Sequence, residues 1–214
     1  MKKKKISELQ TGLTVLFVCC LLISNVITAK QIQFPFGVTM TAAVLVFPIT
    51  YILSDVFSEV YGYRWSRITC YMGFAMNLLM VLVFSVVIKT PAPDYWKNQE
   101  AFETVLGNTP RILFASLFAY VLGDFVNDKV FQKMKKNYEH TIDGFSTRAL
   151  ISSICGELTD SVIFIPIAFF GQMPVKQMLQ MIIIQPVLKI SYEIIILPIT
   201  TIIVKKVKTA EKCI

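Results

Sequence analysis

The chain has 214 residues, of which 55% are apolar and 16% are charged, and its mean hydropathy is +0.61. This composition excludes a water-soluble globule with a charged coat and predicts an all-α integral membrane protein. A formal charge of +7 would also suit a nucleic-acid-binding protein. The basic residues, however, lie in short segments between apolar runs and form no single patch, so we expect no nucleic-acid partner.

Six apolar stretches are long enough to cross a bilayer, which takes about 20 mainly apolar residues. Their unbroken runs of Leu, Ile, Phe and Val lack the alternation of a barrel strand. We therefore expect a six-transmembrane-helix bundle that forms a single domain over residues 1–214 and contacts the lipid bilayer. The predicted helices cover residues 12–29, 36–60, 66–89, 110–130, 146–170 and 177–204.

Lys and Arg are unevenly divided between the two ends of these helices. Most of them fall in the N-terminal segment, the turn at Arg64, the loop around Lys133 and the C-terminal tail, whereas the opposite side holds few, such as Lys30 and Lys97. Because cytoplasmic loops carry an excess of Lys and Arg, we expect both termini to be cytoplasmic.

An amide in the first predicted helix and charged residues in four others are candidates for the interior of the bundle. The first helix carries Asn25 near its outer end, where the amide could bind a ligand or form a helix–helix hydrogen bond. Charged pairs follow in the second, fourth, fifth and sixth helices: Asp55 and Glu59, Asp124 and Asp128, Glu157 and Asp160, and Lys189 and Glu193. Members of each pair are three or four residues apart, so they share one helical face.

A charged side chain at mid-membrane costs about 2.5 to 3.5 kcal/mol, so these faces are expected to turn toward the protein interior. One interpretation is structural: the acids pair with Lys189, Arg148 or Lys129, or reach the interface, especially Glu59 and Asp128 near helix ends. The acids outnumber the one clearly intramembrane base, however. An excess of acceptors suits a solute rich in N–H donors, or a proton path.

The sequence also contains a repeat. YILSDVFSE at 51–59 and YVLGDFVND at 120–128 share Y-x-L-x-D and an acid four residues later, and the two copies run in the same direction. A parallel repeat of this kind is typical of transporters.

In the sixth helix Gln185 precedes Pro186, and a proline there frees a backbone carbonyl that Gln185 or a ligand could engage.

Other classes of function find little support in the motifs. The five cysteines have no C-x-x-C spacing, so neither a metal site nor a cofactor is expected. An intramembrane enzyme using Asp55 and Asp124 as an acid pair stays open as an alternative, although G-x-G-D and H-E-x-x-H motifs are missing. A structural or assembly protein is a third interpretation, which predicts that the midplane acids tolerate neutral replacement.

The chain resembles the queuosine precursor transporters of the vitamin uptake transporter group. The resemblance extends over nearly the whole length and is carried by these segments: ISN at 23–25 with Lys30, FPITYILSDVFSEVYG at 47–62, GDFVND at 123–128, Arg148 with Ser152 and Ser153, GELTDSVIFIPIAFFG at 156–171, and Lys189 before Pro198. It implies a bacterial inner-membrane transporter, not an enzyme, that takes up a 7-deazaguanine precursor, 7-cyano or 7-aminomethyl, for tRNA modification.

The resemblance also implies site residues. We expect contacts to the deazapurine from Glu157, Asp160, Lys189, Asn25, Asp55 and Asp124, and gating or coupling roles for Glu59, Asn127, Asp128, Arg148 and Gln185. Glu157 or Asp160 would accept the N–H groups of the base. The alternative within transport is a substrate-capture subunit for another vitamin-like ligand that works with a separate energising complex. A homo-oligomer is left open.

Overall fold

The computed structural model describes residues 6–34, 39–137 and 142–212. The described chain is mostly helical, as the composition predicted. Among its helices, five segments are long and apolar enough to cross a membrane: Glu8–Ile27, Tyr63–Lys89, Gln99–Met134, Ile151–Phe169 and Val175–Glu211. Large apolar side chains along them, such as Val86, Ile183 and Ile195, are exposed, as is expected of residues that face lipid.

The elements follow in chain order. The helices are α1 (Glu8–Ile27), α2 (Phe47–Val56), α3 (Tyr63–Lys89), α4 (Gln99–Leu106), α5 (Thr109–Asn137), α6 (Ile142–Phe169) and α7 (Val175–Lys212). Strands β1 (Gln31–Gln33) and β2 (Thr39–Thr41) pair in a small sheet, a 3₁₀ helix covers Ala42–Leu45, and a π-helix covers Phe57–Tyr61.

The second predicted helix, 36–60, is wrong in its first part. Residues 39–45 form β2 and the 3₁₀ helix, and the α-helix begins only at Phe47. Pro48 lies in the first turn of α2, where its missing N–H costs nothing and its fixed φ favours helix initiation. The helical segment then continues past residue 60 as a π-helix and ends at Gly62, which has a φ of +88°.

A short helix in the segment between predicted spans three and four was not expected. Helix α4 follows the exposed residues 90–98, and none of its side chains is buried. Gln99 Nε2 donates to the carbonyl oxygen of Ile88 at 3.1 Å and to Glu103 at 2.7 Å. The bond to Ile88 ties α4 to the end of α3, and the bond to Glu103 lies within α4.

The described chain divides into two compact units. Unit one comprises Met1–Gln31, Thr41–Pro110 and Tyr192–Ile214, and unit two comprises Ile32–Met40 and Arg111–Ser191. The long helix α7 therefore contributes its first part to unit two and the remainder to unit one.

In unit one, α1 packs against α3 and α2. Phe17, Leu53 and Phe57 form a buried cluster, in which the rings of Phe17 and Phe57 meet edge to face with centroids 5.7 Å apart. Gly73 on α3 contacts Leu21 of α1 so closely that a Cβ placed on Gly73 would come 2.4 Å from Leu21 Cδ1. The small residue therefore permits the two helices to approach closely.

In unit two, two glycines set the contact between α5 and α6. A Cβ placed on Gly123 would lie 3.0 Å from the Gly156 carbonyl oxygen, and one placed on Gly156 would lie 3.1 Å from the Gly123 carbonyl oxygen. Arg111, near the start of α5, donates from Nε to Ile167 O at 2.5 Å and from Nη2 to Phe170 O at 2.7 Å. Its positive charge thereby satisfies carbonyl groups at the C-terminal end of α6.

Candidate functional site

Two acids of α6 and one base of α7 meet in unit two. Lys189 Nζ lies 2.7 Å from Glu157 Oε2 and 2.8 Å from Asp160 Oδ2. We call Glu157, Asp160 and Lys189 the carboxylate–lysine cluster. The acids can share one lysine because their three-residue spacing places both on one face of α6.

The cluster presents its acids more openly than its base. The Lys189 side chain is 11% exposed, against 21% for Glu157 and 26% for Asp160, so a solute would reach the carboxylates more readily than the ammonium group. Lys189 contacts one oxygen of each carboxylate, and each carboxylate has a second oxygen. Carboxylate oxygens accept strong hydrogen bonds from N–H donors.

The cluster carries two negative charges and one positive charge, and placing these charges within a membrane costs free energy. Pairing of buried charges seldom repays the free energy lost on removing them from water, so such clusters are weak sources of stability. Ionisable residues inside transmembrane bundles mark substrate or ion pathways more often than packing contacts. The arrangement is therefore suited to bind a polar solute with several N–H groups.

Helix α5 contributes polar side chains beside the acids. A Cβ placed on Gly123 would lie 3.5 Å from Asp160 Cβ, and one placed on Gly156 would lie 3.1 Å from Asn127 Cβ. Asp124, the residue after Gly123, is half-buried. The close approach of α5 and α6 thus brings Asn127 next to the segment of α6 that carries the cluster. The side chains of Asp128 and Arg148 lie outside the described part of the chain.

Close to the cluster along α6 and α7, two buried polar side chains lack hydrogen-bond partners among the described residues. They are Ser161 Oγ, one turn after Glu157 on α6, and Gln185 Oε1, one turn before Lys189 on α7. Ser161 is fully buried and Gln185 is 4% exposed. Helices joined by a short connection usually run antiparallel, which places the two residues at a similar level, on the side of the cluster nearer the turn at Gly171.

The remaining predicted residues lie in unit one. Asn25 is buried, and its Nδ2 donates to Asn77 Oδ1 on α3 at 2.9 Å, which is the helix–helix hydrogen bond that the sequence allowed. Asp55 is exposed on α2. Glu59, in the π-helix, is also exposed and forms an ion pair with Lys208 near the end of α7.

A second polar contact joins the start of α1 to the end of α7. Glu211 Oε1 accepts hydrogen bonds from the Ser7 hydroxyl at 2.5 Å and from the Tyr61 hydroxyl at 2.8 Å. Glu211 therefore ties the π-helix as well as the start of α1 to the end of α7.

The sequence analysis missed Asn77 and Ser161. Asn77 is a lone amide in the middle of an apolar helix, and such a residue usually bonds across a helix interface, so its position alone could have singled it out. Ser161 follows directly after Asp160, but serines are common in membrane helices and bond their own backbone. Its lack of a partner is visible only in the structure.

The described residues contain no group of His, Cys, Asp or Glu side chains arranged to hold a metal ion.

Comparison with known proteins identifies the family of the chain. Residues 41–203 match the family described as "Putative vitamin uptake transporter". Over 180 residues, the chain is 26% identical to a protein of Bacillus subtilis (strain 168) named "Probable queuosine precursor transporter", covering 82% of this chain and 76% of the relative. No solved structure matches the chain. The matched family comprises transporters and not enzymes, and the match covers most of the chain, including the cluster. The protein therefore belongs to the vitamin uptake transporter family of multi-pass membrane proteins.

Proposed function

We propose that this chain takes up a 7-deazaguanine precursor of queuosine, 7-cyano-7-deazaguanine or its aminomethyl counterpart, across a bacterial inner membrane. The observation that carries the proposal is the carboxylate–lysine cluster. A deazaguanine has N–H donors along its N1 and exocyclic amine edge, and one carboxylate can accept both. The name of the Bacillus relative supports the same class of solute.

Within this proposal each part of the cluster has a role. Asp160 or Glu157 accepts the N1 and amine protons, one on each carboxylate oxygen, since each oxygen has more than one lone pair and can also keep a bond to Lys189. Lys189 holds both carboxylates in place, and its ammonium group limits the repulsion between them. Asp124 and Asn127, next to α6, add acceptors and a donor at the same helix interface. Asp55 and Glu59 serve an inner gate or the coupling step, as do Asp128, Arg148 and Gln185.

The proposed topology has six crossings with both termini in the cytoplasm. The hydrogen bond between Ser7 at the start of α1 and Glu211 at the end of α7 supports a topology in which these two ends share one side of the membrane. Only an even number of crossings returns a chain to its starting side, whereas five helices are long enough to cross. Residues 42–61 supply the sixth crossing, since about 20 helical residues extend about 30 Å.

Reporter fusions test this topology. Alkaline phosphatase fused after Tyr95, in the exposed segment between α3 and α4, is expected to be active, because that segment faces the periplasm. Green fluorescent protein fused to the C-terminus is expected to fluoresce, and phosphatase fused after Lys133 is expected to be inactive. An active phosphatase at the C-terminus would contradict the six-crossing topology.

Restoration of tRNA modification tests the function. The chain is expressed in bacteria that can neither make queuosine de novo nor import its precursors, 7-cyano-7-deazaguanine is supplied at a limiting concentration, and queuosine is measured in digested tRNA. We expect queuosine to appear with the wild-type chain and to be absent with empty vector. The aminomethyl precursor is tested in parallel.

The family description favours one alternative solute class. Should the inserted wild-type protein restore no modification with either precursor, the deazaguanine assignment falls. A vitamin-like ligand captured for a separate energising complex then becomes the better interpretation, since the family is described by vitamin uptake.

A further inference from the structure

Helix α4 has one apolar face and one polar face. Successive residues of an α-helix are rotated by about 100°, so the face that each side chain occupies follows from its position. The apolar face consists of Ala101, Phe102, Val105 and Leu106, and the polar face consists of Gln99, Glu100, Glu103 and Thr104. No side chain of α4 is buried in the protein, and Val105 is 46% exposed. Much of the apolar face therefore has no packing partner within the chain.

A helix as short as α4 needs such a partner in order to form. Isolated helices of fewer than about 12 residues are marginal in water, and most helical stability in proteins comes from packing of an apolar face. Helix α4 has only eight residues, and Asn98 at its N-cap makes no side-chain capping bond. An apolar medium against the open side of α4 would supply the missing stabilisation.

The position of α4 points to the surface of the lipid bilayer as that medium. Gln99, its first residue, donates to the carbonyl oxygen of Ile88 at 3.1 Å, and Ile88 lies in the last turn of α3, which is long enough to cross a membrane. Val86, in the same turn, is 67% exposed, as is expected of a side chain that faces lipid. Helix α5 then begins at Thr109. Helix α4 thus lies between the points where the chain leaves the bilayer and returns to it.

The residues that precede α4 suit the same environment. Tyr95 is 83% exposed and Trp96 is 42% exposed. Trp and Tyr are enriched at membrane–water interfaces, because their rings are largely apolar and also carry one hydrogen-bonding group. The polar face of α4 bears Glu100 and Glu103 and no basic residue, so attraction to anionic headgroups cannot drive the contact. Burial of apolar surface must drive it instead.

We propose that residues 95–106 form a membrane-surface anchor, in which Trp96 and the open side of the apolar face of α4 lie at the boundary between lipid headgroups and acyl chains. Interfacial amphipathic helices bury their apolar face about 5–10 Å into this boundary. The polar face, with Glu100 and Glu103, then faces water. The partner is the lipid bilayer itself, so the inference does not depend on which solute the protein transports.

Depth-dependent quenching of Trp96 fluorescence tests the anchor. The chain has two tryptophans, and Trp65→Phe removes the other one while keeping an aromatic ring against Phe17, Leu53 and Phe57. The full-length variant is reconstituted in phosphatidylcholine vesicles whose acyl chains carry bromine either near the headgroup or near the terminal methyl group. Because the anchor lies at the interface, we expect quenching to be at least about twofold stronger with the shallow bromine. Partial replacement of the lipid by phosphatidylglycerol should leave this ratio unchanged.

Two matched variants show whether the apolar face makes the contact. Val105→Glu places a charge on the apolar face, so shallow quenching of Trp96 should fall and hydrogen exchange of the α4 amides should become faster. Thr104→Glu places the same charge on the polar face and should leave both quantities close to their starting values. If Trp65→Phe fails to insert, the difference between the wild-type protein and Trp96→Phe gives the same Trp96 signal.

Three results of the quenching experiment would overturn the inference. Stronger quenching by the deep bromine would place Trp96 within the hydrocarbon core. Quenching by dissolved iodide but by neither brominated lipid would place it in water. Protection from all three quenchers would mean that a protein surface, such as a second copy of the chain, covers it. Equal effects of Val105→Glu and Thr104→Glu would likewise contradict a contact through the apolar face.

Discussion

Asp160→Asn is expected to reduce uptake of 7-cyano-7-deazaguanine by about 10- to 100-fold. The amide replaces one acceptor oxygen by a donor and removes the charge that strengthens hydrogen bonds to N–H groups, which contribute about 1.5–3 kcal/mol each when charge-assisted. It also loses the ion pair with Lys189. Glu157→Gln should act in the same direction, and initial uptake rates normalised to inserted protein measure both effects.

The same chemical change outside the bundle provides the control for this prediction. Asp94 lies in the exposed segment between α3 and α4, and Asp94→Asn should leave uptake unchanged. Wild-type uptake rates in Asp160→Asn would show that the cluster only holds α6 against α7, and would favour the structural interpretation of the midplane acids.

Gly156→Val should prevent correct packing of α5 on α6, with a loss of about 1–3 kcal/mol in stability or more. Even the Cβ of an alanine would come 3.1 Å from both Asn127 Cβ and the Gly123 carbonyl oxygen, and valine adds two methyl groups. The carbonyl belongs to a helix backbone and cannot move alone, so the helices must separate. Thermal stability of the detergent-solubilised protein, followed by size-exclusion chromatography, measures the loss.

Gly12→Val is the matched control, since it introduces the same β-branched residue into a membrane helix. A Cβ on Gly12 would meet no atom within 4 Å, so only the small difference in helix propensity applies. Equal melting temperatures for the two variants would contradict the close contact of α5 and α6.

The spacing of the charged residues was enough to predict which of them come together in the carboxylate–lysine cluster. Glu157 and Asp160, three apart in an apolar run, had to share a helical face, and Lys189 was the one clearly intramembrane base that could neutralise them. The structure brings these three together, although their role in transport stays a prediction. Gln185 was chosen for its proline neighbour, and its buried, unpartnered oxygen is a property that no sequence pattern reveals.

The sequence did not predict the start of α2 or the partner of Asn25, because neither depends on the local apolar pattern. Residues 36–60 read as one continuous span because Val, Leu and Thr suit helix, strand and membrane equally, and the start of α2 is set by Pro48 instead. The partner of Asn25 lies 52 residues away along the chain, and such pairings depend on how helices pack in three dimensions. The parallel repeat of 51–59 and 120–128 stays a prediction.

The hydrogen bond between Ser7 and Glu211 has a consequence for protein engineering. It brings the beginning of the first helix and the end of the last helix within a single side-chain contact, so a short peptide of glycine and serine would suffice to join them. New termini could then be opened in the exposed segment 90–98, where few contacts would be lost. In the proposed topology, a circularly permuted chain of this kind would begin and end on the opposite side of the membrane, and would make that face available for immobilisation or labelling.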